Sequence, residues 1–185
     1  MTDATDYAWA EAEDEVLSAL TVTLVQPDDD AAIRTLKPRS RYAQAMTFDE
    51  ALHAAFDITD WAYGAVLVQT DSLDGWAALV EPCGWASADP GRLAQLSHRG
   101  TAISVFWNVN ANMQFGVARN GLLVRFFDPL LYDESLGALP EEGEFEWGVD
   151  HPRASALALL GRLCGVQFGR DWLLDRARTS YIVPL

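Results

Sequence analysis

Basic charge is scarce in this sequence. Of 185 residues, 13 are Lys or Arg against 27 Asp or Glu, and Lys37 is the one lysine, so the formal net charge is −14. Such a chain repels phosphate backbones and anionic lipid surfaces, which argues against nucleic acid and membrane as partners. Long apolar runs are missing too: none reaches the roughly 18 residues a bilayer span requires. The first fifteen residues hold six acids and no base, the reverse of a signal peptide, so a cytoplasmic location is expected. Cysteine is limited to Cys83 and Cys164, set far apart without CxxC or Cys/His spacing, so free buried thiols are expected rather than a bridge or a metal site. His53, His98 and His151 fall in separate segments, and HExxH, GxSxG, P-loop, GxGxxG and EF-hand patterns are all absent. Composition and motifs therefore imply no cofactor and weigh against catalysis.

What is present is a core. Half of the residues are hydrophobic and 11% are aromatic, which at this length predicts one domain spanning residues 1–185. Leu20 to Gln26 alternates and is β-branched, as a strand does. Asp28, Asp29 and Asp30 precede AAIRTL, where an Asp can cap a short helix. Lys37 to Met46 is the most basic stretch and reads as a loop able to pair with the acidic segments. Thr47 and Glu50 fit a capping box for a helix over Phe48 to Phe56. Trp61 to Thr70 and Trp76 to Glu81 read as a hairpin turning within Asp71 to Gly75, and Asp89-Pro90 opens a helix closed by Gly100.

Thr101 to Asp128 carries the clearest pattern. Asn120-Gly121 predicts a type I′ hairpin, which pairs Phe115 with Phe126 and Val117 with Val124. A three-residue connection, Asn110-Ala111-Asn112 with Asn112 left-handed, would then bring Trp107 to the core face of Phe115. Asn108, Gln114 and Arg125 would share the second face. Helices are expected over Ala154 to Leu163 and from about Gly169 to Arg178, with Tyr181 to Leu185 as an extended tail. The order predicts an α+β fold: a mainly antiparallel sheet of about six strands with helices packed on it.

Two groups of residues are candidates for function. Seven acids, Asp133, Glu134, Glu141, Glu142, Glu144, Glu146 and Asp150, occupy residues 133–150 with no Lys or Arg among them. Such a run is either a solvated loop or a docking surface, because a patch of one sign accelerates association with a partner of the other. The second group is Asn108, Gln114, Arg125 and Asp128. Amides and a guanidinium orient a ligand carbonyl or carboxylate, and Asp128 could act as acceptor or base. Each also has a structural reading: Asn is common in turns, Arg125 can pair with an acid, and Asp128 can cap the next turn. Trp61, Trp76, Trp85 and Trp107 are core residues first and stacking platforms second.

Ser104 to Glu134, with its FWNVNAN and FDPLLYDE strings, resembles an actinobacterial family known as a domain of unknown function. DYAWAEAED, GWAALVEPCGW, GALPEE at Gly137 to Glu142 and ALALLGRLCGV extend the resemblance over most of the chain. It implies one domain and brings no activity, cofactor or catalytic residue. The function expected is that of a non-enzymatic acidic interaction domain, immunity-type or regulatory, which binds a protein with a basic surface. Glu141, Glu142, Glu144 and Glu146 would steer that contact, and Phe145 and Trp147 would anchor it. The alternative is a small-molecule binder, or an enzyme, using the Asn108, Gln114 and Arg125 face.

Overall fold

The computed structural model describes residues 2–13, 16–58, 64–136, 138–148 and 150–185. Its strands are β1 (Leu20–Val25), β2 (Ser40–Arg41), β3 (Ala65–Leu73), β4 (Trp76–Pro82), β5 (Thr101–Trp107), β6 (Met113–Arg119), β7 (Leu122–Phe127) and β8 (Thr179–Pro184). They form one eight-stranded antiparallel sheet ordered β2-β8-β3-β4-β1-β5-β6-β7. Six α-helices accompany them among the described residues: α1 (Trp9–Ala12), α2 (Ala31–Thr35), α3 (Phe48–Asp57), α4 (Pro90–Leu96), α5 (Pro152–Cys164) and α6 (Arg170–Leu174).

The fold is α+β, but the sheet has eight strands where about six are expected. The additions are β2 and β8. The tail of the chain pairs with β3 along its length, Val66 opposite Val183 and Gln69 opposite Ser180, and this satisfies an edge that would otherwise be open. Consequently α6 stops at Leu174 instead of running to Arg178, whose guanidinium turns inward to the carbonyls of Leu173 (2.9 Å) and Arg176 (3.2 Å) and to Asp71 (3.2 Å). The expected strand residues Trp61 to Tyr63 lie outside the described residues.

One face of the sheet carries Leu20, Val22, Leu24, Ile103, Val105, Trp107, Phe115 and Val117, covered by α5 and the N-terminal segment. Helix α5 is buried on every side from Ala154 to Gly161, so its apolar residues show no single stripe. The opposite face carries Val25, Ala77, Leu79, Ala102 and Ala118 beneath α2 and α4, with Ile33, Leu36, Leu93 and Leu96 pointing down. Local signals acted as their chemistry dictates. Thr47 and Glu50 form the capping box of α3, and Asp89 caps α4 through Arg92 N–H. Asp29, rather than Asp30, accepts from Ala31 N–H at 2.7 Å at the start of α2. Asn120 and Gly121 are left-handed at φ 50° and 83°, as a type I′ turn requires.

Two registers differ from expectation. The β5–β6 turn is closed by Asn108 N–H to the Asn112 carbonyl at 3.1 Å and places the left-handed residue at Ala111 (φ 56°), not Asn112. The shift is by two residues, so Trp107 still joins Phe115 on the core face. In β7 a bulge intervenes. The hairpin starts in the expected pairing, Arg119 with Leu122 and Ala118 with Leu123, but the register shifts at Val117/Ala118, so Val117 opposes Arg125 and Phe115 opposes Phe127. An extra residue in one strand reverses which face each later side chain takes.

Candidate functional site

The bulge decides the fate of Arg125. It lands on the core face, 8% exposed, and its Nε and Nη2 donate to Glu142 Oε1 (2.9 Å) and Oε2 (3.0 Å). Glu142 is fully buried. A side-on fork of this kind meets both carboxylate oxygens at once, and removing either member strands a buried charge. The Arg125 guanidinium also lies 4.5 Å from the centre of the Phe127 ring.

This pair pins the acidic segment to the sheet. Trp147 donates its indole N–H to the Glu142 carbonyl at 2.9 Å, stacks on Tyr132 and meets Phe127 edge-on. Phe145 is half-buried beneath the Arg162 guanidinium, which binds Glu144 at 2.6 Å and the Thr2 carbonyl at 2.8 Å. The six residues expected to meet a partner therefore divide. Glu142, Phe145 and Trp147 point inward as anchors, Glu144 is paired with Arg162, Glu141 is half-buried, and Glu146 is exposed.

The outward remainder rims a cleft of about 650 Å³ between the N-terminal segment, the acidic segment and α5. Asp3, Glu144, Glu146 and Asp150 bring carboxylates to it, with His151 and Arg162. Among the described residues Glu146 and Asp150 make no ion pair. Asp3 is held below the usual carboxylate range by the Thr5 N–H it accepts, so it is ionised throughout neutral pH. Net negative potential in a walled cleft concentrates cationic groups. Asp150 belongs to the acidic run singled out in the sequence, whereas Asp3, His151 and Arg162 join it only through the fold.

The amide face is not assembled. Gln114 lies opposite Phe106 on the second face while Arg125 is on the first. Asn108 Oδ1 accepts from Asn110 N–H (2.9 Å) and Asn112 N–H (3.3 Å), and Asp128 Oδ1 accepts from Leu130 N–H (2.8 Å). Both are turn caps, and Arg125 is the paired arginine.

A second buried acid has no counterpart in the sequence reading. Glu81 is fully buried on the second face and accepts from Ala86 N–H (2.6 Å), Ser87 N–H (2.7 Å) and Ser87 Oγ. Thr23 continues the chain of hydroxyls between Ser87 and Ser104, at 2.8 Å from each. Burial outweighs the three donors and holds the carboxyl above its usual range. The cluster is sealed by the loop it fastens, so it is structural. Cys83 and Cys164 are free and partly buried, and burial pushes both thiols up, so neither is an activated nucleophile. Among the described residues no group of His, Cys, Asp and Glu could hold a metal, and no helix is long and apolar enough to cross a membrane.

A family model described as "Family of unknown function (DUF6461)" matches residues 1–143, and the chain belongs to that family. No curated protein and no solved structure matches it.

Proposed function

For this member of a family without an assigned activity, we propose a non-enzymatic role: a cytoplasmic protein-interaction domain that receives a basic protein surface in the cleft edged by Asp3, Glu146 and Asp150. The observation that carries the reading is the division of the acidic segment. Glu142 and Trp147 hold it against the sheet, and Glu146 and Asp150 face the cleft beside it. Pre-organised carboxylates lose little entropy on binding and steer an oppositely charged partner from a distance. A regulatory or immunity-type partner fits this chemistry.

The test is retention of proteins from the lysate of the source organism by the wild type and by an E146K/D150K double variant, in low and moderate salt. The reading expects a stoichiometric basic protein on the wild type, weakened by salt and absent from the variant. An identical set on both would overturn it. Neither substitution touches the Arg125–Glu142 pair, so the fold is expected to survive.

A further inference from the structure

The two edges of the sheet are built differently. At one edge β2 is two residues long and flanked by Lys37, Pro38 and Arg39, with Arg41 in the strand. A short, charged, proline-flanked strand is how proteins keep an edge from pairing. At the other edge β7 runs for six residues with neither lysine nor proline, and it exposes three consecutive apolar side chains: Leu122 (71%), Leu123 (42%) and Val124 (48%). Its bulge twists the strand, and its one charged residue, Arg125, turns inward to Glu142. Single exposed apolar residues are ordinary; three in a row on an open edge form a pairing surface.

The ends of this edge carry opposite charge. At the hairpin tip stand Arg119, exposed, and His98, beside Gly121. At the far end, where Tyr132 packs on Phe127 and Glu142 on Arg125, come Asp133, Glu134 and Glu141. Antiparallel pairing of two identical strands sets the first end of each against the second end of the other. The surface is therefore complementary to itself about a two-fold axis, as an isologous interface must be.

We infer that β7 is the interface of a homodimer, in which the β7 strands of two copies pair antiparallel and join their sheets into one continuous sheet. Leu122, Leu123 and Val124 of each copy line the seam, and Arg119 of one copy meets the acids after β7 of the other. None of these residues lines the acidic cleft, so the dimer and the basic partner stand or fall independently.

Sedimentation velocity of the full chain, from low micromolar to sub-millimolar concentration, is the test. The expected result is a species of twice the 20.4 kDa chain mass, which dissociates on dilution. Leu122→Lys and, separately, Leu123→Lys bury an unpaired charge in the apolar seam and are expected to weaken it on the order of a hundredfold. Circular dichroism verifies that each variant folds, and Leu122 is exposed enough to change without disturbing the core. Hydrogen exchange supplies a second readout: amides of residues 122–127 are expected to be protected at high concentration and to exchange on dilution. A wild type that stays monomeric throughout overturns the inference, and so does a dimer that both variants leave intact.

Discussion

Arg125 and Glu142 are the residues on which the acidic segment depends. Arg125→Ala would leave Glu142 charged and buried, a loss of about 3–5 kcal/mol, read as a fall in the urea midpoint. A double change to Met at 125 and Leu at 142 is expected to recover most of that loss, since a buried pair is often no better than apolar residues of similar volume. Glu81 makes the opposite kind of demand. Its folded carboxyl binds a proton more tightly than an unfolded glutamate, whose pKa is roughly 4.3. Its contribution to stability is therefore full at pH values beneath that and is lost as pH rises through the raised folded value. Denaturation midpoints taken across mildly acidic to neutral pH are expected to show this decline in the wild type and not in Glu81→Gln. Equal slopes in the two proteins would contradict the assignment.

Elements whose signals are local were legible in the sequence. The capping box of α3, the Asp89-Pro90 start of α4 and the Asn120-Gly121 turn each rest on groups within a few residues of one another. What depended on distant partners was not legible. β8 is a strand because β3 lies beside it, and the β7 bulge exists because Phe127, not Phe126, fills the space next to Phe115. That bulge moved Arg125 out of the amide face and hid three of the expected contact residues. Helix α5 also depends on a close approach: a Cβ on Gly161 would sit 2.7 Å from Tyr7 Oη and 2.8 Å from the Val166 carbonyl oxygen. Gly161→Ala gains roughly 1 kcal/mol of helix propensity, yet overpacking costs typically 1–3 kcal/mol. A lower Tm and faster hydrogen exchange in residues 2–13 are expected.

At the scale of the whole molecule, charge and shape act together. A net charge of −14 disfavours most encounters between copies and favours encounters with basic proteins, while local patches choose the geometry. One such patch is the cleft that Glu142 and Trp147 hold in place. The most direct measurement is the association rate between this protein and the basic partner proposed for the cleft, followed across ionic strength for the wild type and for E146K/D150K. The account predicts a wild-type rate that falls steeply with salt, and a variant rate slower by about tenfold or more at low salt, with little salt dependence left. Equal rates and equal salt dependence in the two proteins would contradict it.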